Sequence, residues 1–464
     1  MMRMKIKKKL LIICVICLLC MIIGIKTLYN WVQMEIVKDL TNELPHHNLM
    51  KTFLRPMEYC NSFHHINSGE EGDSSISGYS LELVHMVMRH GARNSMHSLP
   101  GIELPTLSCK VESKFENISR FLDRTRQKWI NQKKFGFDSL LYPNKNKCQG
   151  SDLTPFGMKQ HIMTGRYLQR KYGSLLNITQ LHIRSTGYTR TYQSAVAVLL
   201  GFLNHTYLPL VRINRSGDAS FCSPSLFSGS CHCPGADKLL TKAKKEADQV
   251  EREDIDKHML MNRLRGVLET EISVGVSVFS LIDVLMTFAC HAIPLPCSQN
   301  QRKCVNQSHL DLIFKIQDRV GKQMVSGNRN YIKYAHLYLH PLLEEMADRM
   351  KKVARRKPVE SFVLYSGHDI TITPLATVLG IHNGKWPPFA SRIVIELYKR
   401  TENKMHYFIK IFFNGVDVTS KASFCKKKTL KGFCKLKYFL DFVHTHLHDN
   451  GLDSYEEGCS STNL

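Results

Sequence analysis

The run Arg89-His90-Gly91-Ala92-Arg93 sets two guanidinium groups on either side of one imidazole. Arginine forks match phosphate oxygens bidentately and stay charged at any relevant pH. A histidine held among them is placed to attack phosphorus, provided its second ring nitrogen finds an acceptor that fixes the tautomer. Gly91 would let the backbone turn tightly and let an anion approach. His368-Asp369 offers a carboxyl able to protonate a leaving alcohol and an imidazole able to donate to a phosphate oxygen. A third piece, Arg184-Ser185-Thr186-Gly187-Tyr188-Thr189-Arg190-Thr191, puts more arginine after another apolar run. Each alone has a bland reading, as a basic surface turn or a common dipeptide. Together they point to phosphate-ester chemistry.

Such groups need rigid elements to hold them. Leu81 to Met88 is an apolar run that stops abruptly at Arg89, which predicts a buried strand delivering a loop. Leu181–Arg184 and Ser361–Tyr365 predict two more strands, each ending at one of the chemical groups. Ile393–Tyr398 and Tyr407–Phe413 predict late strands, the second closing in a turn at Asn414-Gly415. Thr154-Pro155 reads as the cap and first position of a helix reaching Tyr172, and Ala195–Leu203 is helical. Strands alternating with helices, with the polar groups just past strand ends, predict an α/β fold with its ligand at the carboxyl ends of the strands. The expected architecture is a three-layer core, a mostly parallel sheet flanked by helices. The cysteine-rich middle of the chain, about 215–355, is expected to form an inserted helical cap. Asp237–Arg265 carries a thin apolar stripe that does not sustain heptads.

The 464 residues allow a large core in one two-part domain or two domains. With 43% hydrophobic and 22% charged residues the composition is ordinary globular, which excludes collagenous and disordered classes. Sixty-three basic against 40 acidic side chains leave +23, a balance that favours polyanionic partners. Residues 1–9 are a basic tail, expected to be cytoplasmic, and Leu10–Ile25 is an unbroken apolar run flanked by Lys9 and Lys26. This predicts a signal-anchor transmembrane helix over 10–28, with a cleaved signal peptide as the alternative. A luminal stem or linker is expected over 29–78, with a tethered segment near Cys60, and the catalytic domain over 79–464. Cys14, Cys17 and Cys20 lie in the anchor, and the remaining twelve cysteines make an even set, as disulfides in an oxidising lumen require. Cys425 and Cys434 are close enough to close a small loop, while the other pairings stay open. Five glycosylation sequons begin at Asn117, Asn177, Asn204, Asn214 and Asn306, all beyond the anchor. That compartment argues against nucleic acid as the partner of the positive charge. Cys231-His232-Cys233 has metal-ligand residue types, but cystines are the expectation there. His444, His446 and His448 alternate without further ligands nearby. Lys426, Lys427, Lys428, Lys431, Lys435 and Lys437 form a basic stretch that reads either as a polyanion contact or as a solvated loop.

The sequence resembles the histidine acid phosphatase family, which opens with Arg-His-Gly-x-Arg. Family members also carry an Arg-Ser-Thr…Arg-Thr block, a Leu-Thr-x-x-Gly-x-x-Gln-His block (here Leu153 to His161) and a His-Asp dipeptide. All occur here in the family's order, between about Leu81 and Asn414. The resemblance implies His90 as nucleophile, Arg89, Arg93, Arg190 and His368 as phosphate ligands, Asp369 as proton donor, and neither metal nor cofactor. It implies an acidic pH optimum. It departs from the family where Asp and Pro often follow His-Gly: Ala92 stands for the first and Ser95 for the second, and loss of the proline is expected to loosen the loop. The anchor, the block Phe227 to Pro234 and the run Asn414 to Cys425 resemble, more narrowly, a Golgi type II membrane branch of the family. That branch removes phosphate from xylose in the glycosaminoglycan–protein linkage region of proteoglycans. The expected partners are then a phosphorylated glycan substrate, the membrane, and the glycosaminoglycan-synthesising enzymes. A broad acid phosphatase, an inositol polyphosphate phosphatase and a catalytically silent glycan-binding module are the competing expectations.

Overall fold

The computed structural model describes residues 54–61, 66–72, 77–110, 141–173, 180–203, 205–222, 231–300, 302–402 and 406–461. The expected anchor at 10–28, its three cysteines, Phe227 to Ser230 and the sequons at Asn117, Asn177 and Asn204 lie outside the described residues. Among the described residues no helix is long and apolar enough to cross a membrane. The described residues form one unit, from Leu54 onward.

The elements follow in chain order. Helix α1 (Leu54–Cys60) precedes strand β1 (Tyr79–Arg89), helix α2 (Pro155–Tyr172), β2 (Leu181–Thr186), α3 (Thr189–Phe202) and β3 (Ile213–Ser216). Four helices come next, α4 (Pro234–Arg252), α5 (Ile255–Leu268), α6 (Val278–Cys290) and α7 (Gln307–Gly327), and then the long α8 (Arg329–Ala354). The chain closes with β4 (Phe362–Gly367), α9 (Asp369–Val378), β5 (Arg392–Arg400), β6 (Tyr407–Phe413), β7 (Val416–Asp417), β8 (Cys434–Lys435), α10 (Leu436–Thr445) and α11 (Tyr455–Ser460).

The predicted strands and helices appear where the apolar runs placed them. Thr154 caps α2 by accepting from the Gly157 amide, with Pro155 in the first turn. The charged stretch from Asp237 is two helices, because Asp254 caps a new start by accepting from the Lys257 amide. Asn414 and Gly415 both take left-handed φ, as a two-residue hairpin turn needs.

One sheet runs in the order β3-β2-β4-β1-β5-β6-β7, with β8 also on β6. The first four strands are parallel, and β5, β6, β7 and β8 pair antiparallel. The sheet is therefore mixed, which corrects the mostly parallel expectation. The reason lies in one connection. Helix α9 carries the chain away from the end of β4, and residues 379–391 bring it back. There Ala390 donates to the His90 carbonyl and Arg89 to the Ser391 carbonyl, so β5 begins where β1 ends.

Successive residues of β1 face opposite sides. Val84, Met86 and Met88 pack with α2 and α3; Leu83 and Val87 pack with α8, α9 and α10. These are the two outer layers. The cap expected over 215–355 shrinks accordingly. Helix α8 contributes Leu339, Leu342, Leu343, Met346 and Met350 to the sheet's own core, and α4 adds Ala236, Leu239 and Ala243 to the same cluster, so neither stands apart from the body. Of the stem or linker expected over 29–78, the described residues 54–61 and 66–72 pack on the body, and residues 29–53 lie outside the described residues. Tyr59, Cys60 and Ile66 are buried in the body, and Glu71 makes a buried ion pair with Arg392 at 2.6 Å.

All twelve cysteines from Cys60 onward are paired: Cys60–Cys290, Cys109–Cys148, Cys222–Cys231, Cys233–Cys459, Cys297–Cys304 and Cys425–Cys434. Cys231 and Cys233 are thus cystine halves. Cys60–Cys290 ties α1 to α6 across 230 positions, and closing so long a loop restricts the unfolded chain by about 5 kcal/mol. Asn214 and Asn306, the two sequon asparagines among the described residues, are exposed.

Candidate active site

The site is built where three parallel strands end together. β1 and β4 are in register up to Arg89 opposite Gly367, and the His90 amide donates to the Gly367 carbonyl at 3.0 Å. β2 lies on the other side of β4, and its end at Thr186 leads into α3 with Arg190 in the first turn. Strand pairing therefore brings together residues 90, 190 and 368 from three distant parts of the chain.

His90 is buried, and its Nδ1 lies 2.8 Å from the Gly91 carbonyl. A carbonyl only accepts, so Nδ1 must carry the proton and Nε2 keeps its lone pair. Burial, then the charges of Arg190, Arg89, His368 and Arg93, holds this imidazole well below its ordinary pKa. The ring is neutral at working pH and needs no base to expose Nε2. Its centroid is 5.5 Å from that of His368.

Arg89 is fully buried. It donates to the Pro387 carbonyl at 2.5 Å and to the Tyr59 hydroxyl at 3.3 Å, and pairs with Asp369 at 3.2 Å. Its guanidinium also lies 4.4 Å from the Phe389 ring centre. Arg190 lies over Tyr188 at 4.5 Å and approaches His368 Nδ1 at 3.4 Å. Burial and Arg93 lower its pKa to about 10, which leaves it charged. The Nε atoms of Arg89, Arg93 and Arg190 are buried without hydrogen-bond partners. Unpaired buried donors on three neighbouring cations cost free energy unless an anion's oxygens take them.

His368 is pushed down to about 3 by burial and Arg190, against the pull of Asp369. Its Nε2 is 2.8 Å from the Thr186 hydroxyl. Arg190 can only donate, so His368 Nδ1 accepts from it and Nε2 carries the proton, donated to Thr186; a phosphate that engages Arg190 would free Nδ1 for the tautomer that donates toward the site. Burial pushes the Asp369 carboxyl up, but Arg89, His368, Arg93 and the Ile370 amide outweigh it, and the net shift is downward. Asp369 is thus an ionised partner of Arg89 before any substrate arrives.

All six residues singled out from the sequence sit around this strand-end region. Asp283, which the sequence reading passed over, belongs with them. It projects from α6 and pairs with Arg93 at 2.8 Å, both side chains buried. It also accepts from the Met96 amide at 2.7 Å and the Ser95 hydroxyl at 2.8 Å, and lies 2.9 Å from His97 Nδ1. Burial raises its pKa, and Arg93, His97, Met96 and Ser95 together bring it below the usual carboxylate range. A signal existed: Asp283 is the one charge in the apolar helix Val278–Cys290, and such a charge must be partnered. Its partner, though, is 190 positions away.

The same contacts correct the expectation of a loose loop. Asn94 Nδ2 donates to the Cys148 carbonyl at 2.9 Å, and the Asn94 amide to that of Asp152 at 3.0 Å. Hydrogen bonds hold what a proline would have stiffened. Gly91 has a different reason from the one expected: a Cβ there would lie 2.3 Å from the Gly157 carbonyl oxygen, and one on Gly157 would lie 2.1 Å from that of Ala92. The two glycines let the loop and the start of α2 touch backbone to backbone. Gln160 completes the joint, accepting from the Ala92 amide at 2.8 Å and donating to the Cys60 carbonyl at 2.6 Å.

Away from the site, His446 is buried between His336 and His340, with its ring nitrogens 2.8 and 3.0 Å from theirs. Burial lowers His161 and His368 to about 3, and His336 and His340 to about 4. These rings are neutral when folded but protonate near 6.5 when unfolded. Their contribution to stability is complete above that value and is lost as pH falls towards 4. The melting temperature is therefore expected to drop between pH 7 and pH 4.5; a flat or rising profile in a thermal-shift series would contradict this.

A family model described as the histidine phosphatase superfamily (branch 2) matches residues 80–414. The chain is 28% identical over 421 residues to 2-phosphoxylose phosphatase 1 of Mus musculus, covering 86% of this chain and 85% of the relative. Among solved structures it resembles Hafnia alvei phytase in complex with tartrate, at TM-score 0.52 and 13% identity, over 82% of this chain and all of the other. It also resembles the Bifidobacterium longum multiple inositol polyphosphate phosphatase in complex with inositol hexasulfate, at TM-score 0.51 and 11% identity, over 80% and 94%. The solved structures share the fold.

Proposed function

This chain belongs to branch 2 of the histidine phosphatase superfamily and is a phosphoric monoester hydrolase, and we propose that it works through a phosphohistidine on His90 and acts on a phosphorylated sugar, the 2-phosphate of xylose in a glycan. The observation that carries the mechanism is the His90 ring itself. Its Nδ1 is committed to Gly91, its Nε2 is free, and three guanidiniums stand around it.

Arg89, Arg93, Arg190 and His368 hold the phosphoryl oxygens. His90 Nε2 attacks phosphorus; the P–N bond forms as the ester P–O bond breaks, and Asp369 gives its proton to the departing alcohol oxygen. Water then attacks phosphorus, the P–N bond breaks, and the Asp369 carboxylate takes the water's proton. Fixed cations need no reorganisation as charge develops, and they supply most of the stabilisation. A bound dianion offsets the arginines that hold Asp369 ionised, so the carboxyl takes up its proton in the complex or from a monoanionic substrate. Activity therefore falls as pH rises above neutrality.

Replacing Asp369 by Asn should slow hydrolysis of a sugar phosphate about 10²- to 10⁴-fold and of p-nitrophenyl phosphate far less, because nitrophenolate leaves without help. Equal losses on both esters would remove Asp369 from the proton-donor role.

The glycan reading rests on the named relative and on the mouth of the site. Tyr188 is 54% exposed with its ring edge-on to His368 at 5.0 Å, and Ile370, beside Asp369, is 52% exposed. Apolar faces there suit a sugar ring with a single phosphate better than a ligand charged all round. A Golgi membrane address with a luminal catalytic part belongs to the same proposal, supported by six disulfides. Turnover by the purified full chain on a phosphoxylose linker oligosaccharide against inositol hexakisphosphate decides the substrate; preference for the latter would overturn the sugar assignment.

A further inference from the structure

From Val418 to Leu440 the chain has no acidic residue and seven lysines: Lys421, Lys426, Lys427, Lys428, Lys431, Lys435 and Lys437. All seven are exposed, and none has a carboxylate partner among the described residues. The segment is not a slack tail. Cys425–Cys434 closes it, Leu430 and Phe433 bridge each other, and Lys435 sits in β8 against β6. Lys427 and Lys431 both hold left-handed φ, at 60° and 50°. That conformation costs a non-glycine residue free energy, and the closed loop keeps it. Lys428 is steadied over the Tyr438 ring at 5.0 Å.

Its place in the fold is fixed by the sheet. Phe433 stacks on Tyr79 at 4.2 Å, and Tyr79 begins the strand that ends at Arg89. Eleven strand residues at about 3.3 Å each put the Phe433 end of the loop about 30 Å from His90, while its Lys421–Lys426 end lies nearer, where the Ser423 amide donates to the Leu379 carbonyl just past α9. The lysines therefore do not bind the reacting phosphate. Lys428 also rims a cavity of about 470 Å³ whose lining includes Asp441 and Asp449, so an acidic chain belongs on the loop's outer side rather than in the cavity.

We propose that this cystine-closed lysine loop is a second binding site, remote from the catalytic histidine, for a sulfated or carboxylated polysaccharide. Rigidly spaced, unpaired ammonium groups release counterions from an extended polyanion and gain affinity without base- or sugar-specific contacts. A site set apart from His90 in this way is useful only to a ligand long enough to span the gap, as a polymer attached to the reacting sugar would be. In this respect the inference rests on the proposed glycan substrate.

The test uses the full chain in detergent on immobilised heparin, with K426A/K427A/K428A/K431A as the variant. Elution at clearly lower salt for the variant, with kcat/KM on p-nitrophenyl phosphate unchanged, is expected. Unaltered elution would overturn the site. Retention on anionic vesicles that the four-lysine variant loses and that soluble heparin cannot compete away would overturn it too, by assigning the lysines to a membrane surface. Two single variants, K427A and K431A, guard against misfolding: each should lower the elution salt in part with an unchanged melting temperature. Failure of the sugar assignment would show instead in the oligosaccharide turnover assay, whatever the heparin result.

Discussion

Substitution of His90 by Ala should lower kcat by about 10⁴-fold or more and abolish an acid-labile phosphoenzyme. The size follows from what the ring does. Arg89, Arg93 and Arg190 stabilise charge on the phosphoryl group, but they cannot form a bond to phosphorus. With Nε2 gone, only water remains as nucleophile, and Asp369, which takes the water's proton in the normal second step, must here keep its own proton for the leaving oxygen. The fold should tolerate the change. His90 is neutral, its ring's hydrogen bond runs to the neighbouring Gly91 carbonyl, its backbone bonds to Gly367 and Ala390 survive the change, and only the ring contacts with His368 and Phe389 are lost. Rapid-quench trapping with ³²P-labelled substrate, read beside a melting curve, checks this. An alanine variant that keeps turnover within tenfold would remove the phosphohistidine. A variant and parent both without turnover but with equal glycan affinity would favour the silent binding module.

Asp283→Ala is expected to destabilise the protein by about 3–5 kcal/mol and to depress kcat/KM as well. The carboxylate is buried against Arg93, and deleting it leaves a guanidinium out of water without its counter-charge. The Met96 amide and Ser95 hydroxyl lose their acceptor in the same stroke, so the loop carrying His90 loses its tie to α6. Two comparisons separate position from charge. Asp283→Asn keeps an acceptor and should recover part of the stability. Replacing both members of the pair by apolar residues, Arg93→Met with Asp283→Leu, should restore stability without restoring activity, because Arg93 is also a proposed phosphate ligand. Chemical denaturation with parallel kinetics gives both numbers. A loss under 1 kcal/mol for Asp283→Ala would mean that water reaches the pair.

The residue types around His90 were legible in the sequence because each sits at the abrupt end of an apolar run, and both features are local. So were the helix cap at Thr154 and the hairpin turn at Asn414-Gly415, since capping and left-handed φ depend on a few neighbouring residues. An even set of twelve cysteines announced a disulfide framework, yet only packing chose Cys60 for Cys290 and Cys233 for Cys459. Strand direction was equally hidden. A strand buried on both faces has one composition whichever way it runs, and β5 turned antiparallel because the loop before it returns to the end of β1. Asp283 meeting Arg93, His446 lying between His336 and His340, and the close passage of Gly91 over Gly157 are all contacts between remote positions. By itself the sequence determined which groups could do the chemistry and what local element would present each one. Tertiary structure decided their distances, their partners and their protonation, because burial and neighbouring charge exist only once the layers have closed.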